Sequence, residues 1–131
     1  MTSTLNVKKT EGAVTVLYFE GRLDSQTENF ALENARAVLN AGARYLLIDL
    51  HDVDMVTSAG LRAIHSIYEM FTPIQESQAW RMENPDETFK SPYFKLSRAA
   101  SQVHYVLSIA GFLQNIAMYP DLQEALNSFP A

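Results

Sequence analysis

The chain contains no cysteine. A disulfide framework, a thiolate zinc site and a cysteine nucleophile are therefore excluded. Histidine is scarce too: His51, His65 and His104 stand far apart, without ligand-like spacing. The five glycines are single and fall near element ends, so there is no glycine-rich phosphate loop. Basic residues are few, with Lys plus Arg at 10 against Asp plus Glu at 15, a formal net charge of −5. A nucleic-acid binder neutralises phosphates with a basic patch, and this balance argues against nucleic acid as a partner. Long apolar runs are missing as well. The segment Met1 to Lys9 lacks the apolar stretch of a secretory signal, which makes the cytoplasm the expected location. Residues 99–120 carry no Asp, Glu, Lys or Arg, but Ser101, Gln102, His104, Ser108, Gln114 and Asn115 interrupt them. A spanning helix needs roughly 20 mostly apolar residues, so no direct membrane insertion is expected.

What remains is an ordinary globular mixture: 131 residues, 47% hydrophobic and 19% charged. That is enough to bury one core, and a single domain over 1–131 is expected. Ala13 to Glu20 is rich in β-branched and aromatic residues and predicts a strand. Residues 4–9 pair with it across the Thr10-Glu11-Gly12 turn. From Ser25 to Leu39 the period becomes helical: Phe30 or Ala31, Ala35, Val38 and Leu39 share a face, Ser25 or Thr27 caps the start, and Asn40-Ala41-Gly42 stops it. Tyr45 to Leu50 predicts a strand covered on both faces. A second helix starts at Ser58 or Ala59 and runs to about Phe71, with Leu61, Ile64, Ile67 or Tyr68, and Phe71 as its apolar stripe. Residues 72–92 hold three prolines, mixed charges and no periodicity, and are expected to form a loop insertion. Tyr93 to Leu96 predicts a strand. Ser101 then caps a helix with Val103, Val106, Leu107 and Ala110 inside and Gly111 as its stop. A final strand covers Asn115 to Tyr119. The last helix opens with Asp121 and Glu124 spaced as a capping box, and Leu122, Ala125, Leu126 and Phe129 dock it. The order β-β-α-β-α-β-α-β-α implies an α/β fold, a mixed sheet flanked by about four helices.

Enzymatic constellations are thin. Asp49, Asp52 and Asp54 cluster with His51 at the end of a strand, where open α/β sheets place ligands and where carboxylates could hold a hard cation. Solvated caps are the plainer reading of such acids, and no metal or cofactor is assigned. Ser58 and His65 lie seven residues apart on one predicted helix, about 10 Å of rise, too far for a nucleophile–base hydrogen bond. His65 and His104 are read as helix residues, and Trp80 as either a partner contact or a loop anchor. No catalytic residue is expected. The segment that stands out is Asp52 to Leu61, where Thr57, Ser58, Ala59 and Gly60 sit at a strand-to-helix hand-over. One reading is an N-cap by Thr57 or Ser58, with Gly60 allowing close packing. The other adds that a hydroxyl at a helix N-terminus, backed by free amides and the positive dipole end, favours a phosphate.

Four stretches, in order, resemble the STAS domain of anti-sigma factor antagonists: Gly21-Arg22-Leu23-Asp24, Leu47-Ile48-Asp49-Leu50, Met55 to Arg62, and the tail from Ser101-Gln102-Val103 through Ala110-Gly111-Phe112 to Tyr119 to Leu126. The resemblance spans the chain apart from residues 72–92. It implies a module that binds an anti-sigma factor which is also a Ser/Thr kinase. The kinase phosphorylates a serine at the start of the second helix, and a serine phosphatase reverses it. By position the acceptor is Ser58, and Asp24 matches the family's Gly-x-Leu-Asp acid beside that helix start. Asp24, Thr27, Thr57, Ala59, Gly60, Leu61 and Arg62 would form the partner surface; a homodimer is left open. The chain departs from the commoner Asp-Ser-Ser-Gly motif with Thr57-Ser58-Ala59-Gly60, which makes Thr57 a competing acceptor. Two other classes compete with this switch: a constitutive STAS scaffold or transport-accessory protein, and a small hydrolase or metal-dependent enzyme using Asp49, Asp52, Asp54 and His51.

Overall fold

The computed structural model describes residues 2–130; Met1 and Ala131, the two ends of the expected domain, lie outside the described residues. The β-branched and aromatic residues of β2 (Thr15–Leu23) form a strand that β1 (Leu5–Thr10) joins as an antiparallel hairpin. Helix α1 (Glu28–Asn40) crosses over to β3 (Leu46–Val56), which runs parallel to β2. Helix α2 (Ser58–Phe71) follows, then α3 (Ile74–Glu83) and the short strand β4 (Phe94–Ser97). Helix α4 (Ser101–Ile109), a 3-10 turn (Phe112–Gln114), strand β5 (Ala117–Tyr119) and α5 (Leu122–Asn127) complete the chain. The strands lie in the order β1-β2-β3-β4-β5, with only β1 antiparallel. The expected α/β architecture is present.

The central strand divides the core by its period of two. Leu46, Ile48 and Leu50 pack with Leu17, Phe19, Phe94 and Leu96 beneath α1, α2 and α4, whose inward residues include Ala31, Ala35, Ile64, Ile67, Val103 and Leu107. Leu47 faces the other way, joining Val16, Ala125 and Phe129 under α5. All five residues from Leu46 to Leu50 are buried, as a strand covered on both faces requires.

Several local expectations are corrected. Residues 72–92 are not simply a loop, because α3 occupies ten of them. Pro73 stands immediately before its first residue, where a missing N–H costs nothing, and Glu76 and Arg81 suit its two ends. The segment lacks an apolar stripe because only Ser77 of this helix is buried. Trp80 anchors the return of the chain, meeting the buried Phe89 edge-on at 5.6 Å. At α1 the buried member of the first turn is Ala31, and Phe30 is 46% exposed. No side chain caps α1 or α4: Ser101 is the first residue of α4, and Ala110, expected inside, is exposed where the chain turns out at Gly111 with φ +82°. Strand β3 runs six residues beyond Leu50, so Asp52 and Asp54 lie on a strand. Strand β5 begins at Ala117, after the 3-10 turn.

That extension of β3 positions the site. Strand β4 pairs only with Leu46 to Asp49, whereas β2 stays beside β3 through the pair Leu23 and Val56. The β2–β3 ribbon thus projects past the rest of the parallel sheet. It carries the starts of α1 and α2 at its tip.

Candidate functional site

At the tip, Thr57 joins β3 to α2. Its N–H donates to the Leu23 carbonyl at 2.9 Å, and its Oγ1 accepts from the Gly60 N–H at 3.4 Å while lying 3.4 Å from the Leu23 carbonyl as donor. Thr57 is therefore the N-cap of α2, and its hydroxyl is engaged on both sides. Gly60 is buried because the helix leans on β2: a Cβ there would collide with the carbonyl of Leu23. Ser58 is the first residue of α2 and is exposed. Its hydroxyl has no hydrogen-bond partner among the described residues, and no acidic residue occupies the first turn. The positive end of a 14-residue helix, capped by Thr57 but carrying no acid in its first turn, thus lies beside the Ser58 hydroxyl.

The start of α1 is built from the turn Asp24 to Thr27. Asp24 Oδ1 accepts from the amides of Gln26 at 2.9 Å and Thr27 at 3.2 Å. The Ser3 hydroxyl first, then these amides and the Thr27 hydroxyl, stabilise the ionised Asp24 and hold its pKa below the usual value. Thr27 is buried, its Oγ1 donating to the Arg22 carbonyl at 2.8 Å and accepting from the Asp24 amide at 3.0 Å. Of the residues expected to meet a partner, Ser58 and Arg62 are exposed, and Asp24, Thr57 and Leu61 are half-buried. Thr27, Ala59 and Gly60 are buried and shape that surface from beneath.

Three further residues belong to this surface and escaped sequence reasoning. Glu28 of α1 receives a two-pronged hydrogen bond from Arg62 of α2, with Nε at 3.0 Å and a terminal nitrogen at 3.1 Å. Each charge favours the other: Glu28 titrates below, and Arg62 above, its ordinary value, chiefly through this bond. The two residues lie 34 positions apart, so no local pattern announces the pair. Phe30 and Met55, 46% and 43% exposed, add apolar surface at the start of α1 and the end of β3.

The expected acidic cluster does not converge. Asp49 is buried, and its carboxylate is filled by Arg98, at 2.8 and 2.9 Å, and by the Ser97 hydroxyl at 2.9 Å. Asp52, Asp54 and His51 are exposed, with Asp54 turned to Arg22 at 3.9 Å. Among the described residues no three His, Cys, Asp or Glu side chains come together as a metal site. His65 lies beside Glu69 at 3.4 Å and stacks near Tyr68, not on Ser58, and His104 is exposed on α4. No helix of the described residues is long and apolar enough to cross a membrane.

A mixed sheet with helices on both faces thus presents two helix N-termini and the exposed Ser58 at one tip. The family model of the STAS domain matches residues 4–88, and the chain belongs to that family. No curated protein sequence matches it significantly. Among solved structures, the chain is similar to an anti-sigma factor antagonist from Mycobacterium paratuberculosis, with 19% identity, a TM-score of 0.76, and coverage of 95% of this chain and 93% of that one. An anti-sigma-factor antagonist (STAS) domain protein from Planctomyces limnophilus is 23% identical at a TM-score of 0.67, covering 93% and 96% of the two chains. The Bacillus cell fate determinant SpoIIAA in its phosphorylated form is 11% identical at a TM-score of 0.60, covering 95% and 97%. These likenesses extend the shared fold beyond residue 88, through α4 and α5.

Proposed function

We propose that this chain is an anti-sigma factor antagonist, a non-enzymatic binding module whose grip on an anti-sigma factor kinase is switched by phosphorylation of Ser58. The observation that carries the reading is the division of labour at the start of α2. Thr57 holds the cap with an engaged hydroxyl, while Ser58 stands exposed with a free one. This favours Ser58 over Thr57 as acceptor although the commoner acidic residue before it is absent. The kinase transfers the γ-phosphoryl group of ATP to Ser58 Oγ, the hydroxyl proton leaves, and ADP departs. A serine phosphatase hydrolyses the ester.

Unmodified, the tip offers Leu61, Met55 and Phe30 as apolar contacts among Asp24, Arg62 and Ser58. Phosphorylation adds close to two negative charges in the middle of that surface. Steric bulk, like charge and unpaid desolvation together lower affinity by orders of magnitude. The location expected for such a system is the cytoplasm.

The test is incubation with ATP and the kinase-type anti-sigma factor of the same genome, followed by site mapping by mass spectrometry. One phosphate on Ser58 is expected, together with at least a tenfold loss of kinase binding in Ser58→Asp. Phosphate on Thr57 instead overturns Ser58 as the acceptor; absence of phosphate from both residues, or unchanged affinity in Ser58→Asp, overturns the switch and leaves a constitutive STAS scaffold.

A further inference from the structure

We propose that Arg62 is the responding element of the switch: its guanidinium holds Glu28 while Ser58 is unmodified and turns to the phosphate once Ser58 is phosphorylated, releasing Glu28. The inference rests on Ser58 as acceptor and names how the modification reaches the neighbouring helix.

Ser58 and Arg62 are four residues apart on α2, so their side chains share one face and neighbour each other. A helical Cα–Cβ bond tilts toward the N-terminus, so a long side chain lies over the turn that precedes it. For Arg62 that is the turn beginning at Ser58. The guanidinium is already drawn forward, toward the N-terminal ends of both helices, because Glu28 is the first residue of α1. Two-thirds of the Arg62 side chain is exposed, so the group can turn without unpacking anything, whereas Glu28 is only 20% exposed and is held by the bond.

The competition favours the phosphate. Glu28 offers one negative charge, and phosphoserine offers nearly two with three acceptor oxygens, suited to the same planar fork. The Arg62–Glu28 pair is the one ion pair between α1 and α2 among the described residues. Its loss leaves Glu28 and Asp24 facing added negative charge at the same tip. Phosphorylation then changes the charge presented by both helix ends, and the docking surface is altered on both helices.

The test installs phosphoserine at position 58 during translation, so that no kinase is required. The phosphorus signal and the Glu28 side-chain carboxyl are then titrated by NMR in the full chain. In the wild-type background the phosphate midpoint is expected about half a pH unit or more below that in Arg62→Gln. Glu28→Gln, which removes the competitor, lowers the phosphate midpoint further. Arg62→Lys, which keeps the charge without the fork, recovers less than half of the difference. The Glu28 midpoint rises on phosphorylation, by more in wild type than in Arg62→Gln, where only repulsion remains. Equal phosphate midpoints in wild type and Arg62→Gln overturn the inference while leaving Ser58 as an acceptor untouched. A kinase that ignores Ser58 overturns the acceptor reading and leaves this titration interpretable.

Discussion

Gly60 rests directly on the backbone of Leu23, so closely that even a methyl group at position 60 would collide with the Leu23 carbonyl. The same carbonyl receives the Thr57 amide, so α2 and β2 share one rigid joint at the tip of the ribbon. Backbone cannot move aside as a flexible side chain can, so Gly60→Ala must push the first turn of α2 outward. Destabilisation of about 2–3 kcal/mol is expected, measured by chemical denaturation. Hydrogen exchange at the Thr57 amide should accelerate as its acceptor withdraws. A Gly60→Ala variant as stable as wild type would show that the joint is softer than its geometry implies.

Asp49 and Arg98 form the second long-range relationship. Arg98 adopts φ +55°, a conformation that costs a non-glycine residue about 1 kcal/mol or more. It is held there by its fork on Asp49 and by its amide on the Tyr119 carbonyl at 2.8 Å. Arg98→Ala keeps the backbone cost and strands a buried carboxylate with Ser97 alone; a loss of about 3 kcal/mol is expected. Arg98→Gly strands the same carboxylate but removes the strain, and should be milder by about 1 kcal/mol. Thermal or denaturant unfolding of the pair measures both. Equal losses would mean that the left-handed conformation is not preserved in the alanine variant.

Glu28 gives the tip an acid-sensitive component. Its pKa is lowered in the folded chain by the bond from Arg62. A lowered carboxylate pKa contributes stability that is fully present above the ordinary glutamate range and is lost as the pH falls through the lowered folded value. The stability difference between wild type and Glu28→Gln should therefore favour wild type at neutral pH and shrink on acidification below that range. Added salt should shrink it at neutral pH too, because Arg62 is well exposed. Denaturant titrations of both proteins across acid and neutral pH supply the check.

How much of this was legible beforehand depended on the range of the interaction. The order of strands and helices followed from local periods and turns, and the covered strand at β3 followed from its unbroken apolar run. The start of α2 was legible because small and hydroxyl residues cluster there for local reasons. Helix α3 was missed because its residues carry no apolar stripe, its packing resting on Trp80 and Phe89 outside any helical period. Asp49 is buried and paired rather than a solvated cap, which no local pattern announces because its partner, Arg98, lies 49 residues away. The Arg62–Glu28 fork was invisible for the same reason: only the crossover of α1 and α2 brings the two together.

Thr57 and Ser58 differ in a way that stability measurements can separate from signalling. Thr57 is the cap, and Thr57→Ala leaves the Gly60 amide without its side-chain acceptor, at a cost of about 1 kcal/mol. Thr57→Asp restores an acceptor and adds a negative charge at the positive end of α2, but it cannot donate to the Leu23 carbonyl, so its stability should lie above that of Thr57→Ala without exceeding wild type. Ser58→Ala removes a hydroxyl without a partner and should lie within about 0.5 kcal/mol of wild type. Denaturation of the three variants gives the order. If Ser58→Ala were the costly change and Thr57→Ala the silent one, the cap would belong to Ser58. Its hydroxyl would then be occupied rather than free for phosphorylation, and Thr57 would become the acceptor to test.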